Sequence, residues 1–283
     1  MERKGRRKVR VVIMKCGLWA SVMTLVLLTA PPIALAQQSP DPRVADLVRA
    51  GKVRVALFPP QYTKDPATGE LKGIWADLAR AFAARVGVEL VLVEHPTPPT
   101  MVECLKAGAC DVGSLGFDPA RAADVEGFSP SFMEFDYTYL VPAGSSIRSV
   151  AVADRPGVRI AVVHAHASTL ALTRLRKHAE LVSVDTPDSA FDLLRTGRVD
   201  AWASARPVLG DYSAQLPGSR VVEDGYGANR PALVVAKGQA ARLAYISEFI
   251  EEMKASGFVQ QAITRSGWGG VKVAPAASPS AQK

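Results

Sequence analysis

The sequence predicts an α/β fold built from two similar lobes, with two chain crossings between them. The first observation is an internal repeat, in which VRVAL at 53–57 and VRIAV at 158–162 begin the two copies. The second is the match between LKAGACD at 105–111 and LRTGRVD at 194–200. Strands and helices alternate within both copies, which requires crossover connections and a mostly parallel sheet.

The elements of the first copy follow from local patterns. GIWADLARAFAARV at 73–86 has helical periodicity, and ELVLV at 89–93 predicts a strand. The next helix ends near Gly108, since glycine favours helix C-termini. Asp111 then opens the short strand VGSLG.

The second copy repeats this order. After its first strand, STLALTRLRKH at 168–178 predicts a helix and LVSV at 181–184 a strand. A helix ending near Gly197 precedes the strand AWASA at 201–205. Strand YTYLV at 137–141 leads into this copy, and strand 219–223 leads out of it.

The remaining chain has no counterpart in the second copy. It predicts a strand at 232–236 and helices at about 239–255 and 258–265, which we expect to return to the first lobe. The resulting predictions are lobe 1 at 37–142 plus 229–270, lobe 2 at 143–228, and crossings near 142–144 and 225–230. Two parallel connections form a hinge, which commonly closes around a small ligand.

The N-terminus reads as a secretory signal peptide over residues 1–36. Seven basic residues precede an apolar stretch and the small-residue site Ala34-Leu35-Ala36, which predicts cleavage after Ala36 and a periplasmic location. The alternative is a membrane anchor. An anchor needs about 20 unbroken apolar residues, and Pro31-Pro32 interrupts this stretch.

Without that leader the charge is nearly balanced. The chain keeps 27 basic and 26 acidic residues, so its net charge falls from +7 to +1. This balance gives no support to nucleic-acid binding. Residues 271–283 are rich in Pro, Ala and Ser and predict a disordered tail.

Two cysteines remain, Cys104 on a helix and Cys110 at the start of the next strand. A disulfide requires their Cα atoms to lie within about 7 Å. The sequence favours the alternative, in which both act as small buried hydrophobic residues.

Ligands of open α/β sheets lie beyond the carboxyl ends of the strands. Four segments follow such ends, and we expect them to line one cleft between the lobes. They are 58–62, 114–121, 164–168 and 204–206.

Three motifs together resemble a known family, the polar amino-acid type of extracellular solute-binding protein (family 3). They are GELKGIWADLARAFAARVGVELVLV, LKAGACDVGSLGFDPARAADVEGFS and GVRIAVVHAHAST. The resemblance covers about residues 45–268. It implies a type II periplasmic binding protein fold, the capture component of a bacterial ABC importer, a permease partner and no enzymatic activity. We expect a monomer without a cofactor or a metal.

The resemblance also implies ligand-binding residues in the first lobe. The arginine of the family's T-x-x-R motif holds the ligand carboxylate and corresponds to Arg121, whose planar guanidinium matches a carboxylate. The alternative is a surface arginine paired with Asp118 or Asp124. Ser114 and the amide of Gly116 would complete this side, although the family usually has a hydroxyl residue in place of Gly116.

Aromatic residues and the second lobe complete the predicted pocket. Phe58 or Tyr62 would offer an aromatic face, with core packing as the alternative. The family places an aspartate for the ligand's α-ammonium where this chain has Ala205, flanked by Ser204 and Arg206. Burying an ammonium without a counter-charge is costly.

The predicted ligand is therefore a small carboxylate, an organic acid or an atypical amino-acid-like anion, and Arg206 would serve a second acidic group. Trp75 replaces a further acid of the family pattern.

The stretch IAVVHAHAST contributes His164, His166 and Ser168 as predicted pocket residues. The free amides of the helix that starts here attract anions. A zinc site needs three or four ligands, and no third partner is suitably spaced. A histidine base with Ser168 as nucleophile lacks an orienting acid. Exposure of both histidines on a loop remains open.

Two other functions remain possible at this stage. One is a periplasmic enzyme on the same scaffold, similar to cyclohexadienyl dehydratase, which needs a general acid in the cleft. The other is a sensor or chaperone-like domain that presents its ligand to a separate receptor.

Overall fold

The computed structural model describes residues 41–277, apart from the side chains of residues 119 and 120. Its strands are β1 (Lys52–Leu57), β2 (Thr63–Lys64), β3 (Leu71–Lys72), β4 (Glu89–Glu94), β5 (Gly113–Gly116), β6 (Met133–Val141), β7 (Arg159–Val163), β8 (Glu180–Val184), β9 (Ala201–Ala205), β10 (Arg220–Val221), β11 (Gly227–Asn229), β12 (Pro231–Val234) and β13 (Lys272–Val273). Its helices are α1 (Ala45–Ala50), α2 (Ile74–Val86), α3 (Pro98–Lys106), α4 (Pro119–Ala122), α5 (Val150–Ala153), α6 (Ala167–Leu175), α7 (Pro187–Arg195), α8 (Arg206–Ser213), α9 (Ala240–Ala255) and α10 (Phe258–Ser266). Within the described range, every helix is too short or too polar to span a bilayer. The predicted signal peptide at 1–36 lies outside the described residues.

The first lobe is organised around β1. Strand β4 pairs with β1 in parallel, with Lys52 opposite Glu89. On the other side of β1, Val55 forms a parallel bridge with Val112, directly before β5. Strand β12 then pairs antiparallel with β5. The carboxyl ends of β1 and β5 therefore lie side by side.

The C-terminal helices pack against α2 and the start of β5. Phe82 of α2 contacts the rings of Tyr245 and Phe249 of α9 at centroid distances of 6.1 and 5.4 Å. Arg242 of α9 also donates to the carbonyl of Asp111 at 3.3 Å and pairs with Asp46. The last helices thus complete the core that the first strands begin.

The second lobe has a sheet in the order β8-β7-β9-β6-β10. Strand β7 runs parallel to both β8 and β9, whereas β6 is antiparallel to β9. The core beneath this sheet centres on Trp202, which is fully buried and packs edge-on against Tyr212 at 4.9 Å.

Strand β6 forms the first crossing between the lobes. Its residues Tyr137–Leu140 pair with β9 of the second lobe. Its earlier residues pair with β13 and β11. The predicted lobe boundary at 142 is therefore too late, because strand 137–141 belongs to the second sheet. Strand β11 lies beside β6, within the predicted second crossing.

The internal repeat has a structural counterpart in each lobe. Asp111 accepts from the backbone amide of Arg54 at 2.7 Å and from its guanidinium. Asp200 accepts from the backbone amide of Arg159 at 2.8 Å. In both copies an aspartate that precedes the third strand anchors the start of the first strand.

The two cysteines form a disulfide between α3 and β5, with Cα atoms 5.3 Å apart. The favoured interpretation of Cys104 and Cys110 as separate hydrophobic residues is therefore wrong. Helix α3 ends at Lys106, and the tight turn that follows returns the chain beside Cys104.

The predicted disordered tail at 271–283 begins too early. Lys272 and Val273 form β13, which pairs with Glu134 and Met133 of β6. Ala274 is buried and its amide donates to Phe132 at 3.3 Å. Residues 278–283 lie outside the described range.

Candidate functional site

A cavity of about 90 Å³ lies where the strand ends of the two lobes meet. Seven of the ten predicted site residues line it: Phe58, Ser114, Gly116, Arg121, His166, Ser168 and Ser204. They come from β1, β5, β7 and β9 or the turns after those strands. The rule that ligands lie beyond the carboxyl ends of strands therefore located most of this cavity.

Arg121 lies at the boundary between the lobes. Its Nη1 donates to the carbonyl of Gly116 at 3.1 Å, and its Nη2 donates to the carbonyl of Ala165 in the second lobe. Only 9% of the residue is exposed. The acidic side chains on either side of it in sequence pair with other residues, Asp118 with Arg174 at 2.7 Å and Asp124 with Lys106 at 2.8 Å.

Burial lowers the pKa of Arg121 from its usual value, while Tyr137 and Asp118 act in the opposite direction. An arginine remains charged in proteins, and this one has no neutralising contact on the cavity side. Its position therefore favours an anion in the cavity.

The second lobe presents the start of α6 to the cavity. Ala165 adopts a left-handed φ of 56°, which is uncommon for a residue with a side chain. This turn directs its carbonyl to Arg121 and is followed by His166 at the N-cap. The first amides of a helix lack intrahelical partners, so this end of α6 adds a second feature that favours an anion.

His166 faces Phe58 across the cleft, with ring centroids 5.9 Å apart. Desolvation, and then the charges of Arg121 and His164, lower the pKa of His166 to about 4. The imidazole is therefore neutral at physiological pH. It lines the cavity with one nitrogen that can donate a hydrogen bond and one that can accept.

Three predicted residues do not line the cavity. Tyr62 donates from its hydroxyl to Glu94 at 2.8 Å and borders a neighbouring depression. His164 is exposed, directly after the end of β7, whereas His166 lies two residues further on, beyond the left-handed residue Ala165, and lines the cavity. Arg206 lies outside the cavity wall, where it donates to the carbonyls of Val222 and Glu223 and pairs with Asp136 at 3.6 Å, so its position gives no support to the predicted contact with a second acidic group of the ligand.

Other residues of the cavity were not among the ten predicted site residues, although Pro60, Gln61, Ala167 and Ala205 lie within the four predicted segments. They are Pro60, Gln61, Ile74, Trp75, Phe132, Met133, Phe135, Tyr137, Ala167, Ala205, Val208, Asn229, Pro231 and Trp268. Many lie on the crossing strands or just beside them, away from the ends of the repeated strands where the predicted residues lie. Trp75 is fixed by donation from Nε1 to the carbonyl of Ala56 at 3.1 Å and stacks on Phe132.

The cavity wall contains no Asp or Glu among the described residues. Ala205 is part of the wall, at the place where the resemblance implies an ammonium-binding aspartate. The aromatic and aliphatic side chains that dominate the wall make an unpaired positive charge costly to bury.

The His164-x-His166 pair is not a metal site in this geometry, since only His166 faces the cavity. The described residues include one group with metal-ligand spacing, His95, Cys104 and Cys110. Both of those sulfurs are joined in the disulfide, and metals bind cysteine as the thiolate.

Several contacts join the two lobes around the cavity. Arg174 of α6 pairs with Asp118 at 2.7 Å, and Trp268 donates to Asp211 of α8 at 3.1 Å. Two α/β lobes, two crossings and a cavity enclosed between them define the class of hinged, two-lobed binding proteins.

The chain belongs to the bacterial extracellular solute-binding proteins, family 3, whose model matches residues 53–269. It is 35% identical over 153 residues to a putative aliphatic sulfonates-binding protein of Escherichia coli (strain K12), covering 49% of this chain and 46% of that protein. It is 24% identical over 165 residues to the glutamine-binding protein of Geobacillus stearothermophilus, covering 57% and 62%. The chain thus spans about half to three fifths of the length of these curated relatives.

Solved structures show the same fold. The solute receptor for L-cysteine of Neisseria gonorrhoeae aligns with a TM-score of 0.70 at 24% identity, covering 78% of this chain and 92% of that one. The ancestral amino acid-binding protein AncCDT-1, a precursor of cyclohexadienyl dehydratase, aligns with a TM-score of 0.69 at 24% identity, covering 78% and 97%. The fold is therefore the two-lobed type II periplasmic binding protein fold, and the protein is a solute-binding protein of the family 3 type.

Proposed function

We propose that this protein captures a small carboxylate-bearing ligand in the periplasm for an ABC importer, with a membrane permease as its partner. The ligand is an organic acid or an atypical amino-acid-like anion. The observation that carries the proposal is a buried Arg121 in a cavity whose wall, within the described part of the chain, contains no acidic residue.

The electrostatics of the cavity support an anion over a zwitterion. Arg121 and the start of α6 both favour negative charge. A buried ammonium would need a counter-charge, and Ala205 supplies none. The relatives named above bind glutamine, L-cysteine or, putatively, aliphatic sulfonates. This chain shares the fold of the L-cysteine receptor.

The binding cycle follows from the hinge. Ligand enters an open cleft and meets Arg121, and the second lobe then closes over it by bending at the two crossings. Contacts such as Arg174 with Asp118 hold the lobes together. The permease would recognise this closed form and release the ligand, so an affinity near micromolar, about −8 kcal/mol, suits reversible capture.

A thermal-shift screen over monocarboxylates, dicarboxylates, aromatic acids and amino acids tests this proposal. A ligand at 100 times its Kd adds about 2.7 kcal/mol, which raises Tm by about 5–10 °C for a chain of this size. Arg121→Ala should remove the shift, because it removes the charge that faces the cavity.

The matched control is Arg148→Ala, which removes an exposed arginine elsewhere. It should keep the shift. The proposal fails if an ordinary α-amino acid gives the largest response, or if Arg121→Ala responds to carboxylates as the wild type does.

A second candidate is an enzyme resembling cyclohexadienyl dehydratase, which one observation favours. The fold matches that of an ancestral precursor of cyclohexadienyl dehydratase, although His166, which lines the cavity with a pKa of about 4, is neutral and does not supply the cationic general acid that the reaction needs. Incubation with prephenate or arogenate and detection of product would establish this activity. Unchanged substrate, together with a carboxylate-induced thermal shift, would support binding alone.

A further inference from the structure

Two buried oxygen atoms of the cavity wall have no hydrogen-bond partner among the described residues. They are Ser114 Oγ, on β5, and Asn229 Oδ1, at the end of β11. The two other side-chain atoms in this condition, Trp202 Nε1 and Arg242 Nε, do not belong to the cavity wall. Buried polar atoms are almost always hydrogen-bonded, so these two oxygens are acceptors beside the cavity for which the described residues supply no donor.

Asn229 takes the space that a side chain at position 116 would need. A Cβ atom added to Gly116 would lie 2.4 Å from Asn229 Oδ1 and 2.9 Å from the Cβ of Ala167. The hydroxyl residue that the resemblance implies at this position therefore does not fit here. Gly116 and Asn229 form a compensating pair, in which an amide from the crossing strand replaces a hydroxyl from β5.

Gly116 also places Asn229 beside the anion site. Arg121 donates to the carbonyl of Gly116 at 3.1 Å, while Asn229 Oδ1 contacts the α-carbon side of the same residue. The guanidinium and the amide oxygen thus flank a single residue. A small ligand held by Arg121 therefore has its other atoms near Gly116 and Asn229, which favours a second polar group close to its carboxylate.

The chemistry of the second group follows from the acceptor. An amide oxygen only accepts hydrogen bonds, so the ligand must donate through O–H or N–H. An ammonium is disfavoured by the acid-free wall and by Arg121. A hydroxyl can donate to the amide oxygen and carries no positive charge, so it meets both conditions. The cavity of about 90 Å³ is smaller than the 150 Å³ that holds benzene, which limits the ligand to a few heavy atoms.

We propose that the ligand is a small 2-hydroxy acid, whose carboxylate is held by Arg121 and whose hydroxyl donates to Asn229 Oδ1. Asn229 is then the specificity-determining residue of the site, and Ser114 Oγ provides a second contact to the same ligand. This inference rests on the proposed function, since it assumes that the cavity captures a carboxylate.

Four acids of nearly equal size test the proposal by calorimetric titration of the purified protein. They are L-lactate, propionate, pyruvate and L-alanine, which place a hydroxyl, a hydrogen, a carbonyl and an ammonium on the same carbon. L-Lactate should bind about tenfold more tightly than each of the others, because only it offers a neutral donor to an otherwise unsatisfied acceptor.

Two variants then assign the preference to Asn229. Asn229→Ala should lower the affinity for L-lactate to that for propionate and leave propionate within about twofold. Asn229→Asp has nearly the same shape and supplies the missing acid, so it should bind L-alanine more tightly than L-lactate. Gln260→Glu makes the same amide-to-acid change at an exposed position of α10 and should behave as the wild type.

The outcomes separate this inference from the proposed function. If carboxylates bind through Arg121 but L-lactate has no advantage, or keeps it in Asn229→Ala, the inference is wrong and the proposed function stands. Pyruvate binding as tightly as L-lactate would mean that the amide donates, which also overturns it. If none of the four acids binds, the 2-hydroxy acid class is wrong, and the wider screen with Arg121→Ala judges the proposed function independently.

Discussion

At the scale of the residue, the site depends on the positive charge of Arg121, which no acidic side chain among the described residues of the cavity wall neutralises. Arg121 is held between the carbonyls of Gly116 and Ala165, one from each lobe. His166, its neighbour in the cavity, avoids a second positive charge because burial and the charge of Arg121 lower its pKa. The wall therefore carries one fixed cation and a neutral imidazole, which suits a monoanion.

This arrangement predicts a pH dependence of stability that originates at His166. Its pKa is about 4 in the folded protein and about 6.5 when unfolded, so between these values the unfolded chain binds the extra proton. The free energy of unfolding should therefore decrease as pH falls from 6.5 to 4, by at most about 1.4 kcal/mol per pH unit from this group. His166→Gln should flatten the curve of Tm against pH over that window.

His178→Gln is the matched control, since His178 is exposed. It should reproduce the wild-type curve. An unchanged pH dependence in His166→Gln would contradict this assignment of the titration.

At the scale of the element, each copy of the repeat carries the same anchor in a different environment. In the first lobe the side chain of Asp111 is 10% exposed, and it binds both the amide and the guanidinium of Arg54. In the second lobe Asp200 is 41% exposed, and the guanidinium of Arg159 lies 3.5 Å away. The buried anchor should contribute more to stability than the exposed one.

Paired substitutions test this difference. Asp111→Ala should lower the free energy of unfolding by about 2–3 kcal/mol, because it leaves the Arg54 amide and guanidinium without their partner. Asp200→Ala should cost less than about 1 kcal/mol. Denaturant titration of the two variants measures both values, and equal losses would contradict the account.

The connection between α3 and β5 provides a second element-scale prediction. The disulfide from Cys104 to Cys110 closes a short loop, with a sequence separation of 6. Chain-entropy arguments give about 2 kcal/mol for a loop of this size. Replacing both cysteines with serine should lower the free energy of unfolding by that amount.

Addition of a reductant to the wild type should produce a similar loss, while the double variant should not respond to it. Two free thiols in the untreated protein would show that this bond does not form.

At the scale of the whole molecule, the sequence predicted what local periodicity determines. Helix α2 and strand β9 were predicted within one residue of their bounds, because their apolar residues recur with the period of the element. The lobe boundary was misplaced because β6 is one continuous strand that pairs with β13 and β11 at one end and with β9 and β10 at the other. The local periodicity of a strand does not indicate which distant strands it pairs with.

In the candidate site too, some residues could be predicted from local sequence patterns and others could not. Arg121 and Ser168 lie at strand ends or helix starts, where a general rule directs attention. Asn229 and Trp268 enter the cavity from the crossing and from the C-terminal segment, far in sequence from the repeated strand ends. Asn229 is the sole asparagine of the chain. No local sequence pattern indicates that it lies in the cavity wall.

The central claim is that Arg121 holds the carboxylate of a ligand for which the cavity provides no acidic partner. A crystal structure of the protein with the tightest ligand from the screen tests it most directly. The account predicts that the guanidinium lies about 3 Å from a carboxylate oxygen of the ligand, with no Asp or Glu in contact with the ligand. A guanidinium directed away from the ligand, or an ammonium bound to an acidic side chain, would contradict it.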